Sequence, residues 1–228
     1  MSHPLEEKIG YHFQNESLLN HALTHSSWSN EKGKGHLGCN ERLEFLGDSV
    51  LGFVSARYLY GLFPEMPEGM LTKIRSELVC ETSLAEVAAE LKLGDYLLLG
   101  RGEEKNGGRS RPSMSADAVE AVIAAIFLDG GFSAAKDFIM RFILTPQKTA
   151  AVGHDYKSEL QERIQREPGH VLRYETLSEE GPDHDKVFHV AVFLDENRIG
   201  EGTGPSKKKA EQASAQNAIE HYDENAGE

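Results

Sequence analysis

Cysteine and tryptophan are scarce in this sequence, with two cysteines and one tryptophan among 228 residues. Cys39 and Cys80 are too few for a disulfide framework and lack metal-ligand spacing, so we expect two unpaired thiols. No run of 18 apolar residues occurs, which predicts no transmembrane helix. The N-terminal segment MSHPLEEKIG is polar and acidic, unlike a signal peptide. These absences predict a cytoplasmic protein without a membrane partner.

Positive charge is also in deficit, because 24 lysines and arginines stand against 37 aspartates and glutamates, for a net charge of −13. Residues 1–154 carry 15 basic and 20 acidic groups, and residues 155–228 carry 9 and 17. Contacts to nucleic-acid phosphates need lysine and arginine. Composition alone therefore argues against a nucleic-acid partner, and any surface that binds nucleic acid must be a local cluster of basic residues.

Nucleotide-binding and zinc-protease motifs are missing as well, since the chain contains neither G-x-x-x-x-G-K-[ST] nor H-E-x-x-H. We therefore expect no nucleotide cofactor. The glycine-rich string GRGEEKNGG (100–108) follows no predicted strand, and we expect it to form a loop.

The spacing of apolar residues predicts two domains. Residues 1–147 have helical periodicity and no alternating pattern, which predicts an all-α domain. Residues 148–154 lack a periodic face and are predicted to be a linker. Residues 155–224 change to a helix, three strands with alternating apolar residues, and a helix, which predicts a small α+β domain of α-β-β-β-α order.

A row of carboxylates on the predicted helix 40–60 is the strongest chemical signal. At 100° per residue, Glu41, Glu44 and Asp48 fall within an arc of about 60°. The rest of the helix is largely apolar, which predicts a buried helix. Buried carboxylates repel one another and need a cation. The alternative is a solvated acidic face, which would normally include lysine or arginine one turn away; none is present here.

A second apolar segment, SADAVEAVIAAIFLDGG (115–131), carries Asp117 and Glu120 on one helical face. Ala121 and Ala124 beside them would let two helices approach closely. Burying the carboxylates of two helices costs free energy unless the two acidic edges meet around cations. Oxygen ligands without cysteine or histidine indicate Mg²⁺, with Mn²⁺ as a substitute, rather than zinc. Such a site suits two-metal hydrolysis of a phosphodiester.

The segment NERLEFLGDSVL (40–51) resembles the signature of the ribonuclease III family. Other blocks resemble the family in the same order: FQNESLLNHALTHSS (13–27), PEGMLTKIRSELV (67–79) and SADAVEAVIAAIFLDGG (115–131). Three blocks of the second domain resemble the double-stranded-RNA-binding domain: DYKSELQE (155–162), GPDHDKVF (181–188) and GTGPSKKKAEQASA (202–215). The resemblance covers residues 5–222 and implies a magnesium-dependent endoribonuclease that cuts double-stranded RNA.

The resemblance implies a role for each acidic residue. The metal-binding cluster would consist of Glu44, Asp48, Asp117 and Glu120, with Asp48 and Glu120 as catalytic residues. Glu41 and Glu68 would form a second acidic layer near the scissile phosphate. The family is homodimeric, and Phe45 would be the central contact between two signature helices, although the residues alone allow Phe45 to be an ordinary core residue. Each subunit would cut one strand and leave 5′-phosphate and 3′-hydroxyl ends with short 3′ overhangs, on ribosomal RNA precursors and other structured transcripts.

The string SKKKAEQ (206–212) begins the last predicted helix and concentrates positive charge at its N-terminus, although a lysine triplet is often only a solvated helix end. The resemblance implies contacts to A-form RNA from Lys207, Lys208, Lys209, His184, Gln161, Glu162 and Gln165. Acidic residues flank the predicted binding loop, so we expect weak, salt-sensitive binding by the isolated domain.

Two other functions remain open from the residues. A relative that has lost its carboxylates would bind RNA without cutting it, but the set of four is intact here. The other alternative is a helical metal protein or phosphohydrolase unrelated to RNA. The second domain, which contains SKKKAEQ (206–212), argues against it.

Overall fold

A computed structural model describes residues 3–153, 156–165, 169–182 and 186–225, and the chain divides into two compact units, 1–153 and 154–228. The first unit is helical, and the second contains a sheet between two helices. The segment predicted as a linker differs from expectation, because a helix covers Pro146–Gly153 and Thr149 is buried. Thr145 explains this helix: its hydroxyl accepts a hydrogen bond from Lys148 N (3.3 Å), an N-cap followed by proline at the first helical position.

The first unit confirms the predicted all-α class. Its α-helices are α1 (Pro4–Ile9), α2 (Glu16–Ala22), α3 (Ser26–Glu31), α4 (Glu41–Leu62), α5 (Glu68–Leu78), α6 (Glu81–Leu91), α7 (Arg101–Lys105), α8 (Pro112–Phe142) and α9 (Pro146–Gly153). Short 3₁₀ turns cover His36–Gly38, Leu93–Tyr96 and Gly108–Ser110. The expectation of a loop over 100–108 was wrong for its first half, where α7 forms.

Helix α8 lies at the centre of the first unit and packs against α4, α6 and α2. Its residues from Ala121 to Ile126 are all fully buried. Gly131 adopts a positive φ of 78° and kinks the helix. By length and composition α8 could cross a membrane, but half of its apolar window is buried inside this unit, and core helices of water-soluble proteins meet the same criterion.

Helices α4 and α8 approach each other closely at Gly47. A Cβ at Gly47 would overlap the backbone carbonyl of Glu120. The absence of a side chain therefore lets the two helices touch at the position where both carry carboxylates. Leu51 of α4 and Ile123 and Ile126 of α8 are fully buried in the same hydrophobic core.

The second unit has the predicted α-β-β-β-α order. Its elements are α10 (Tyr156–Gln165), β1 (Leu172–Glu180), β2 (Val187–Leu194), β3 (Asn197–Gly204) and α11 (Lys207–Asn225). The strands form an antiparallel sheet in the order β1-β2-β3. Leu160, Val192 and Ile219 belong to its core. A Cβ at Gly202 on β3 would overlap the backbone of Ser214, so α11 can lie directly on that strand.

Both cysteines are free thiols, as predicted. Cys39 is buried and its thiol donates a hydrogen bond to the carbonyl of His36 (3.2 Å), whereas Cys80 is exposed.

Candidate active site

Three carboxylates from two helices converge where α4 meets α8. Glu44 extends from α4, and Asp117 and Glu120 extend from α8, with one oxygen of each lying within 4.8 Å of the others. All three side chains are half-buried. The contact at Gly47 sets the helix separation that makes this convergence possible. We call these three residues the acidic cluster.

Burial and mutual repulsion make the acidic cluster hard to ionise. Burial raises the pKa of the Glu120 carboxyl to about 7, and the negative charges of Asp48 and Glu44 add to this effect. Burial also raises the pKa of Glu44, with Asp117 as the next cause. A cluster whose charges are this costly in the apo protein is one that a cation would stabilise.

Asp48 and Glu41 lie at the margin of the acidic cluster. Both are exposed on α4. Asp48 is outside the group of three oxygens, yet among charged neighbours it has the largest effect on the pKa of Glu120. Glu41 contributes to the raised pKa of Glu44. Two of the six predicted acidic positions therefore flank the cluster without belonging to its core.

Glu68 is not brought into the acidic cluster within the described residues. It begins α5, and its Oε1 accepts a hydrogen bond from Thr72 Oγ1 at 2.9 Å.

Two neighbours of the cluster were missed by reasoning from sequence. Burial is the main cause of the raised pKa of Asp117, and the charge of Glu81, the first residue of α6, is the next. His25 acts in the opposite direction on the pKa of Asp117. His25 also caps α3, since its Nδ1 accepts a hydrogen bond from Ser27 N at 3.2 Å. No sequence pattern could have predicted that Glu81 and His25 lie near the carboxylates of α4 and α8, because they belong to other elements that reach the cluster only through tertiary packing.

The donors of the acidic cluster fit a hard divalent cation. All three are carboxylate oxygens, which Mg²⁺ and Mn²⁺ prefer, and neither cysteine contributes. Glu44, Asp117 and Glu120 could hold such an ion directly, and Asp48 lies near enough to add charge.

One face of α4 is exposed, which corrects the prediction of a helix buried on all its apolar sides. Phe45 is 77% exposed and Phe53 is 59% exposed. The Phe53 ring contacts Phe132 of α8 edge-on, with ring centroids 5.8 Å apart. Tyr60 near the end of α4 is also exposed. An exposed aromatic face of this kind is typical of an interaction surface.

The second unit exposes the predicted lysines at the first turn of α11. Lys207, Lys208 and Lys209 are all exposed, and the Ser206 hydroxyl accepts a hydrogen bond from Lys209 N at 3.3 Å. Gln161 and Glu162 are exposed on α10. His184 and the side chain of Gln165 lie outside the described residues.

Comparison with known proteins agrees with both units. A family model described as "Ribonuclease-III-like" matches residues 15–147, more than half of the chain. The chain belongs to the ribonuclease III family. A model of the double-stranded RNA binding motif matches residues 156–222, so the second unit is the RNA-binding domain of this family member.

Several ribonucleases 3 are similar to the chain along most of their length. That of Oceanobacillus iheyensis is 47% identical, covering 95% of this chain and 96% of the relative. That of Anoxybacillus flavithermus is 49% identical, covering 94% and 91%. The solved nuclease domain of ribonuclease III from Campylobacter jejuni matches with a TM-score of 0.57 and 46% identity, covering 61% of this chain and 93% of that domain. The protein is thus an endoribonuclease that acts on double-stranded RNA.

Proposed function

We propose that this endoribonuclease hydrolyses its substrate with Mg²⁺, or Mn²⁺ in its place, held at the acidic cluster. The observation that supports this is the convergence of oxygens from Glu44, Asp117 and Glu120 within 4.8 Å. Carboxylates this close repel one another, and a divalent cation offsets their charge. When bound, such a cation supplies Lewis-acid chemistry that activates water and balances negative charge at the phosphate.

Asp48 and Glu120 are the proposed catalytic residues. Burial, with the charges of nearby carboxylates added to it, raises the pKa of Glu120 to about 7, so a bound cation would favour its ionised form. Asp48 is exposed, and its charge is the largest charge effect on the pKa of Glu120, so a substrate phosphate could reach both carboxyl groups. Glu41 extends the acidic edge by one turn. The role of Glu68 as part of a second layer rests on the resemblance alone.

Cleavage of long double-stranded RNA tests the metal mechanism. We expect cleavage with Mg²⁺, none with EDTA, and a loss of at least about 10³-fold in Glu120→Gln. Glu86→Gln, which removes an exposed carboxylate from α6, should cleave like the wild type. Cleavage that persists in EDTA or in Glu120→Gln would contradict the proposal. RNA binding without cleavage by the wild-type protein would favour a non-catalytic regulator instead.

We propose further that two copies form a homodimer through the exposed face of α4. Phe45 and Phe53 are both exposed on α4, and burying a phenylalanine side chain contributes about 2 kcal/mol. The similar Campylobacter jejuni domain is described as flexible in a region involved in dimer formation. Sedimentation should give a dimer for the wild type and a monomer for Phe45→Glu. Leu37→Glu, at an equally exposed position outside α4, should remain dimeric.

Two acidic clusters in a symmetric dimer would each cut one strand. We therefore propose products with 5′-phosphate and 3′-hydroxyl ends and short 3′ overhangs. Ribosomal RNA precursors and other structured transcripts in the cytoplasm are the proposed substrates, on the strength of the resemblance. Mapping both strands of a cleaved duplex tests the stagger, and blunt ends would be the contrary result.

A further inference from the structure

One carboxylate of the RNA-binding domain is bound to lysines from two different elements. Glu179 lies near the end of β1, and its Oε1 is 3.0 Å from Nζ of Lys207, the first residue of α11. Its Oε2 is 3.7 Å from Nζ of Lys186, just before β2. Phe188 pairs with Glu179 across the two strands, and its ring centroid is 5.8 Å from the same Lys207 nitrogen. Lys207 is thus held between a carboxylate and an aromatic ring.

This arrangement gives Glu179 the charge pattern of a bound phosphate group. The two oxygens share one negative charge and each faces an ammonium group, and the two free oxygens of a phosphodiester can be bound by lysines in the same way. Lys207 is one of the three lysines proposed to contact the RNA backbone. The carboxylate and an RNA phosphate therefore require the same ammonium group and cannot both have it at full strength.

We propose that Glu179 is an internal competitor of the RNA backbone, which occupies Lys207 and Lys186 in the free protein and releases them when double-stranded RNA binds. The inference rests on the proposed role of Lys207 in RNA binding. The Lys207 side chain is 57% exposed and that of Glu179 is 38% exposed, so the pair is screened by water. An ion pair of this kind changes an equilibrium by at most about five-fold. Glu179 thus lowers affinity modestly and favours release of the cleaved duplex.

A binding experiment on the full chain separates this contact from general charge. The duplex should be longer than the roughly 16 base pairs that one such domain spans, and EDTA should be present so that RNA is not consumed. Glu179→Gln removes the competing carboxylate. Glu180→Gln is the matched control, since Glu180 is the next residue, is 70% exposed, and lies 3.9 Å from His189 Nε2 rather than beside the two lysines.

We expect Glu179→Gln to bind about two- to five-fold more tightly than the wild type at about 50 mM salt, and Glu180→Gln to change affinity less than about two-fold. At about 200 mM salt the gain should shrink, because screening weakens the internal ion pair. A Glu179→Gln protein that binds no more tightly than Glu180→Gln overturns the inference. Equal melting curves for both variants exclude a change in folding as the cause.

A third variant distinguishes this inference from the function on which it rests. Lys207→Gln should weaken binding, and the gain from Glu179→Gln should shrink in the Lys207→Gln background. If Lys207→Gln leaves affinity unchanged, the proposed RNA contact of Lys207 is wrong. The remaining outcome is that Lys207→Gln weakens binding while Glu179→Gln still increases RNA affinity by its full factor in the Lys207→Gln background. In that case Glu179 acts through general charge, and only the competition is refuted.

Discussion

Replacing Glu120 by glutamine should stabilise the apo protein while abolishing its cleavage activity. Burial and neighbouring charges raise the pKa of Glu120 from 4.5 to about 7. In the unfolded chain this carboxyl loses its proton near pH 4.5, whereas the folded protein retains it until about pH 7. The unfolded state therefore binds fewer protons between these values, and the free energy of unfolding falls as pH rises through this window.

The size of the effect follows from the pKa difference. A shift of about 2.5 units corresponds to about 3.4 kcal/mol when the group is fully ionised, at 1.36 kcal/mol per unit. Because Glu120 is only half-buried, solvent screening reduces this to about 2 kcal/mol at pH 8. Glutamine has nearly the same shape as glutamate and no charge, so Glu120→Gln should raise the free energy of unfolding by that amount. At pH 5.5 the gain should narrow to about 1 kcal/mol, since the folded wild type is then largely protonated.

The assay is thermal unfolding in EDTA, followed by the fluorescence of Trp28, which is the single tryptophan and lies in the nuclease unit. A gain of about 2 kcal/mol corresponds to a rise in Tm of about 4–8 °C at pH 8. Mg²⁺ at about 100 times its Kd should stabilise the wild type by about 2.7 kcal/mol and Glu120→Gln far less. Glu86→Gln should match the wild type in both conditions.

Two results would refute this reasoning. One is a Glu120→Gln protein that is less stable than the wild type in EDTA at pH 8, which would mean that the ionised carboxylate supports the fold. The other is equal stabilisation of both proteins by Mg²⁺, which would place the cation away from Glu120.

Three further predictions concern helix packing, strand packing and pH. In urea unfolding, Gly47→Ala should lower the free energy of unfolding by about 1–3 kcal/mol, because the added methyl group meets the Glu120 carbonyl, and it should also reduce cleavage. Gly61→Ala in the same helix is the control: its methyl group has open space, so the variant should be neutral or more stable by up to about 1 kcal/mol. Gly202→Ala should force α11 away from Ser214 and weaken RNA binding in a gel-shift assay, with the Trp28 transition unchanged. At limiting Mg²⁺, the initial cleavage rate should fall below about pH 7 as Glu120 takes up a proton, and more Mg²⁺ should move that midpoint to lower pH.

The exposed face of α4 illustrates where sequence periodicity misleads. A helix with apolar residues on nearly every side predicts burial. Within one chain, however, Phe45 and Phe53 remain exposed. The sequence pattern reports that these residues avoid water, but it does not say whether the same chain or a second copy covers them.

The electrostatics of the second unit were equally hidden in the sequence. The sequence shows the lysine triplet 207–209 and the acidic residues around the predicted binding loop 181–188, but it does not show which of these charges are in contact. That Glu179 reaches Lys207 across 28 positions depends on the antiparallel pairing of β1 with β2 and on the packing of α11 over the sheet.

The sequence by itself determined the two-domain organisation, the helical and α-β-β-β-α classes, and the carboxylates of the site, because periodicity and residue type are local properties. Only the tertiary structure decided that Glu44 meets Asp117 and Glu120 while Asp48 stays at the margin, and that Glu81 and His25 lie nearby. The distance between two helices depends on the smallest side chain at their crossing. At Gly47 that side chain is a hydrogen atom, which brings the backbone of α4 against Glu120 and sets the spacing of the charges.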